Sequence, residues 1–249
     1  MSERAARNER WIAVTGLALV AAMGFGTTLK LGEMLMMPAA SFEGGAAYWM
    51  LIFIMWWTMM MAMMLPSAAP AILTYGAMSR RFAEKGASAA PVAVFASGYA
   101  AIWTAFSLGV VALQMLLRDL VPLTGMMAVA STTIGGGLLI AAGIYQMTPL
   151  KSACLRKCQS PLMFFARNWR AGSAGAVRMG LAHGVYCLGC CWVLMGLLFY
   201  GGVMEPRWIV GIAAYIAAEK FIPAKMQMAR FAGTILVIWG LWTIYLAIN

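Results

Sequence analysis

Charged residues interrupt this chain rarely, and the stretches between them have the length of a bilayer crossing. Uncharged runs occupy residues 11–29, 46–75, 91–117, 125–147, 180–203 and 231–248. A helix needs ~20 apolar residues to cross a hydrocarbon core ~30 Å thick, within a range of about 17 to 25. A shorter run opens at Trp208 and is interrupted after eleven residues by Glu219-Lys220. The second run is longer than the core requires, so its helix must tilt or break, and Pro66 and Pro70 are the break points. The pattern predicts an all-α fold: a polytopic transmembrane helix bundle of about seven spans, forming a single multi-pass domain over residues 1–249. No repeat or low-complexity tract marks a second domain.

The distribution of Lys and Arg orients the bundle. With seven spans, fifteen basic residues fall on one side, and only Lys30, Arg118 and Arg207 on the other. If the run from Trp208 did not cross, the split would fall to twelve against six. The positive-inside bias therefore favours seven spans, with the N-terminus in the cytoplasm and the C-terminus outside. Between spans four and five, a segment at about 148–179 alternates Arg and Lys with Leu155, Leu162, Phe164, Phe165 and Trp169. It reads as a basic amphipathic helix lying at an anionic headgroup surface on the cytoplasmic side.

Composition sharpens this picture. With 63% hydrophobic residues, 10% charged residues and a mean hydropathy of +0.82, the chain lies outside soluble domains, in which about a quarter of residues are charged. Its net charge of +10 would suggest nucleic acid in a soluble protein; here topology accounts for it, and no nucleic-acid partner is expected. Arg4, Arg7 and Arg10 resemble the start of a signal peptide, but the following run exceeds a signal core of about 7 to 15 residues and reads as a retained first span. The expected location is the inner (cytoplasmic) membrane of a bacterial cell.

The candidate chemistry is concentrated in one stretch. H-G-V-Y-C-L-G-C-C-W-V-L-M, residues 183–195, holds the only histidine and three of the five cysteines. On a helix His183, Cys187, Cys190 and Cys191 share one face. Cys154 and Cys158 form a second pair with the spacing of His183 and Cys187. Imidazole and thiolate together select zinc or a soft ion such as Cu(I). Thiols on the cytoplasmic side stay reduced, which places metal or redox roles above structural disulfides. Two such pairs could supply a Cys₃His site from Cys154, Cys158, His183 and Cys187, with Cys190 and Cys191 a turn deeper. The bland reading of each cysteine is a small buried apolar residue.

Methionine is the second unusual feature, 23 in all. Met55, Met59 and Met63 form one helical line along span two, and Met60 and Met64 a neighbouring one. Thioethers suit Cu(I), although methionine is also a flexible core filler. Glu219 and Lys220 are ionisable residues within a span, costly there and functional by default. Lys220 can snorkel; Glu219 can serve as an oxygen ligand, a proton acceptor or the partner of a basic residue such as Lys151. Gly135-Gly136-Gly137 and Gly143 suit close helix packing. No Walker or Rossmann pattern, paired aspartates, Ser/His/Asp set or H-E-x-x-H motif is present, so no catalytic residue is assigned and an enzyme is not the favoured class.

M-A-M-M-L-P-S-A-A-P (61–70), Y-Q-M-T-P-L-K-S-A-C-L-R-K-C-Q-S-P (145–161), the 183–195 stretch and Glu219-Lys220 resemble the motifs of a bacterial multi-pass family, described as predicted metal-binding integral membrane proteins. The resemblance covers nearly all of the chain and implies a metal role for those motif residues. The expected function is therefore binding of a soft or borderline ion, copper first and zinc second, for metal handling, transport or delivery to a partner metalloprotein. Cys154 and Cys158 would capture the ion, His183 and Cys187 hold it, and Cys190 or Cys191 pass it deeper, with Glu219, Met55, Met59 and Met63 as accessories. The competing readings are a membrane thiol oxidoreductase using Cys187 with Cys190 or Cys191, and an accessory or scaffold subunit of a larger membrane complex. Lipid, a partner membrane protein or metalloprotein, and a further copy of the chain are the expected contacts.

Overall fold

The computed structural model describes residues 45–86, 88, 90–121, 123–124, 126–222 and 227–249, together with 15, 19, 22–28, 30 and 31. Much of the expected first span, and most of the return segment after it, lie outside the described residues. Where it is described, residues 22–28 are helical, and Gly24 lies against Ala62 and the Thr58 carbonyl.

From residue 45 onward the described chain is helical: α1 (Ala46–Ser67), α2 (Ala69–Glu84), α3 (Val92–Leu117), α4 (Thr132–Gln146), α5 (Pro149–Gln159), α6 (Pro161–Asn168), α7 (Gly172–Gly196), α8 (Leu198–Gly201), α9 (Pro206–Phe221) and α10 (Gln227–Ile248). Four of these segments are long and apolar enough to cross a membrane: Ala46–Ser67, Val92–Leu117, Gly172–Gly201 and Gln227–Ile248. A fifth crossing results if α4 and α5, bent by 65° at their junction, act as one broken span.

The expected break in the second run falls at Ala68, between Pro66 inside α1 and Pro70 in the first turn of α2. Three other boundaries differ from the hydrophobic pattern. The fourth run does not become helical until Thr132, because Ser131 caps α4 by accepting from the Ile134 N–H, while a short bridge between Leu123 and Val129 occupies the residues before it. The fifth helix begins at Gly172, eight residues before the uncharged run. The segment at 148–179 is not one amphipathic surface helix. Pro149 and Pro161 each start a new helix, and Thr148 caps α5 by accepting from the Lys151 N–H at 3.2 Å. Both pieces turn side chains inward: Lys151, Ser152 and Cys158 on α5, Phe164 and Phe165 on α6.

Glycines set the closest helix approaches, as the run at 135–143 suggested. Gly136 lies against the Gly240 carbonyl and Gly143 against the Gly233 carbonyl, so α4 and α10 run antiparallel with no room for a Cβ. Gly98 meets Val177 and Gly180, and Gly184 meets Ile102, so α3 and α7 run parallel. The core between α1, α3 and α7 holds Trp56, Tyr99, Trp103 and Phe95, all fully buried. α9 is only 16 residues long, yet its stripe Ile209, Ile212, Ile216 and Glu219 faces inward at helical spacing and carries Lys220 in with it.

Candidate functional site

The four candidate ligands of α7 share the inward face that their spacing requires: His183, Cys187, Cys190 and Cys191 are all buried. Cys187 is the focus. Its sulfur receives a hydrogen bond from Lys220 Nζ at 3.0 Å and lies 3.1 Å from the Tyr99 hydroxyl. The same ammonium donates to Ser67 Oγ at 2.8 Å, and Tyr99 also reaches the Met64 carbonyl at 3.1 Å. Cys190 and Cys191 both donate to the Cys187 carbonyl at 3.0 Å, and Cys191 Sγ is 4.0 Å from Met64 Sδ. Cys158, on α5, is buried and neighbours Cys187 and Cys190. Four thiols and a thioether from three helices therefore lie near one another in the interior, with the Lys220 ammonium on the Cys187 sulfur.

Lys220 is long enough to snorkel toward a surface. It does not, because the turn of α9 that carries it faces the bundle, and the residue is only 7% exposed. The inward period from Ile209 to Ile216, extended by one turn, was the signal that could have revealed it.

Above this point a buried ion pair fastens α5 to α9. Lys151 Nζ donates to both carboxylate oxygens of Glu219, at 2.8 and 2.7 Å, and to Gln146 Oε1. Tyr215 donates to Glu219 Oε1 at 2.7 Å, and Gln146 Nε2 donates to Tyr215 and Glu219. All three ammonium protons and both carboxylate oxygens are thus committed, which is what buried ions require. Of the roles open to Glu219, the geometry matches the partner of Lys151 rather than an oxygen ligand. Lys151, one of the basic residues of the segment after the fourth run, is fully buried rather than at a surface.

The complete Cys₃His set does not converge. Cys154 is half-buried and its sulfur rests on Gly189, where an added Cβ would come within 2.8 Å of it. His183 stands one turn before Cys187, its ring enclosed by Phe95, Tyr99 and Phe164. Its buried Nδ1 has no hydrogen-bond partner in the structure. Among the described residues no three or more His, Cys, Asp and Glu side chains are arranged to hold a metal ion. Thiolates and thioethers select Cu(I), and sulfur is what Cys187, Cys158, Cys191 and Met64 supply.

Met55, Met59 and Met63 are buried on α1, in the interior of the bundle. At the opposite end of α1 from the cysteines, a cavity of about 790 Å³ is lined by Trp49, Ile52, Gln114, Met127, Phe199 and Met204, among others.

Residues 53–243 match a protein family described as PpoB2, copper chaperone. No curated protein and no solved structure matches the chain.

Proposed function

The chain belongs to the PpoB2 copper chaperone family, and from that premise we propose that it is an integral membrane protein that holds Cu(I) at the buried sulfurs around Cys187 and passes the ion to a partner metalloprotein. The observation that carries this reading is the gathering of Cys158, Cys190, Cys191 and Met64 about Cys187, whose sulfur already faces a cation, Lys220. The thiolate is the form of cysteine that binds metal. With no copper present, the Lys220 ammonium supplies the positive charge that a Cys187 thiolate needs in a buried site; with copper bound, the ion takes that place. Cys154, half-buried on α5, is the first sulfur an arriving ion meets, and Cys158 the next. His183 Nδ1, buried and unpartnered one turn away, is a nitrogen donor available to complete the set.

The proposed setting is the inner membrane of a bacterium, with seven spans, a cytoplasmic N-terminus and the cysteines toward the cytoplasm. The directions of the helices support it: α3 parallel to α7, and α4 antiparallel to α10, are the directions that alternating crossings demand. Copper is the favoured cargo and zinc the second. Thiol–disulfide exchange is the weaker reading, since Cys187, Cys190 and Cys191 are at most 2% exposed and offer no line of attack to a partner's disulfide.

The deciding experiment is elemental analysis of the detergent-purified protein after anaerobic loading with Cu(I) or Zn²⁺, beside Cys187→Ser and Cys158→Ser. Near-stoichiometric copper lost in both variants is the expected result. A wild-type protein that takes up no copper would sink the proposal.

A further inference from the structure

Sulfur continues past the cysteines. Met55, Met59, Met60, Met63 and Met64 of α1 are each at most 5% exposed, while the lipid side of the same helix carries Ile54, Trp57 and Met50 at 37%, 38% and 64%. A residue chosen only for apolar bulk would suit either side; here six of the seven methionines of α1, Met61 among them, are buried and only Met50 is exposed. On a helix of 3.6 residues per turn, Met55, Met59 and Met63 stack in one line and Met60 and Met64 in the next. Successive members of a line are about 6 Å apart along the axis, a step that two flexible thioether side chains can share between them.

Both ends of the double line meet something. At one end Met64 Sδ is 4.0 Å from Cys191 Sγ. At the other, Ile52 of the same helix face lines the 790 Å³ cavity, whose wall adds Met127 and Met204 from other segments, with Gln114 donating to Met127 Sδ. On the α7 side, buried Met195 lies one turn beyond Cys191 toward that cavity.

We infer that the buried methionines of α1 form a Cu(I) path joining the cysteine site to the cavity at the opposite end of the bundle, so that the protein carries copper through the membrane rather than only holding it at one face. The inference rests on the copper reading of Cys187. Each step is ligand exchange: a bond from copper to one sulfur forms as a bond to the previous one breaks, with no change in oxidation state. Soft thioethers are the ligands that bind Cu(I) without a charge of their own, so the ion moves on without leaving a buried anion behind.

The test uses the full chain in proteoliposomes, with glutathione-held Cu(I) outside and a fluorescent Cu(I) chelator trapped inside. Met59→Leu/Met60→Leu/Met63→Leu conserves side-chain volume. It should keep near-wild-type copper loading, which also reports that it is folded, while its rate of Cu(I) transfer falls at least tenfold. Met50→Leu, on the lipid side, should transfer copper at the wild-type rate. Wild-type transfer by the triple variant would overturn the path. So would loss of loading and transfer together in the single variants Met59→Leu and Met63→Leu, which would make these sulfurs part of the cysteine site. Cys187→Ser separates the two readings: if it still loads copper while the triple variant fails to transfer it, the site around Cys187 is wrong and only the methionine half of the path stands.

Discussion

Lys220 Nζ of α9 donates to Cys187 Sγ of α7 across 3.0 Å, in a place where both residues are buried. A long, strongly hydrated cation is held there because the Cys187 sulfur, with Tyr99 beside it, takes one of its protons and Ser67 a second. The pair links the one lysine of the final α9 turn to the most interactive cysteine of the chain.

The coupling should be measurable. Cys187→Ala strands the ammonium and should cost about 3–5 kcal/mol, as when one partner of a buried pair is removed. Lys220→Met/Cys187→Ala should lose less than the two single changes together, by roughly 0.5–3 kcal/mol in a double-mutant cycle. Detergent unfolding of the metal-free protein checks it; strict additivity would mean the two groups do not act as a pair.

Lys151 and Glu219 follow the same logic at the α5–α9 junction. Glu219→Leu or Lys151→Met alone should destabilise the protein by about 3–5 kcal/mol, whereas the double replacement should recover much of the loss because no buried charge remains unpaired. Tryptic cleavage after Arg156 and Lys157 provides the local readout: it should accelerate in the single variants and return toward wild type in the double.

Gly189→Ala should push α5 away from α7. An added Cβ would meet Cys154 Sγ at 2.8 Å, so either that side chain changes χ1 rotamer or α5 shifts, and the expected outcome is that α5 shifts. Overpacking of this kind costs about 1–3 kcal/mol, and copper content should fall as Cys158 is carried off with α5. Cys154→Ala in the same chain removes the obstructing sulfur, so Gly189→Ala/Cys154→Ala should match Cys154→Ala alone in both stability and copper content.

His183→Phe separates packing from ligation. The aromatic ring fits among Phe95, Tyr99 and Phe164, and the unpartnered Nδ1 disappears, so thermal stability should hold or rise. Loss of an unsatisfied buried group is worth about 1–3 kcal/mol. Cu(I) affinity, measured by competition with a chelator, should drop about tenfold, equivalent to ~1.4 kcal/mol. Unchanged affinity would remove His183 from the ligand set.

Much of the molecule was legible in the amino-acid sequence. Four of the uncharged runs become helices of membrane-crossing length, since a long apolar segment satisfies its backbone groups within a helix. Pro66 and Pro70 mark the break at Ala68, and the spacing of His183, Cys187, Cys190 and Cys191 puts them on one face because helical period is a local property. Tertiary structure decided the rest. Whether a lysine snorkels or turns inward depends on what waits for it: Ser67 lies 153 positions from Lys220, and Glu219 lies 68 from Lys151. The same holds for Gly189 of α7, which meets Cys154 of α5, a helix set at 65° to α4 at their junction. Local spacing orients a side chain about its own helix axis; which distant group completes its hydrogen bonds, and hence which buried charge is stable, is settled only when the helices pack.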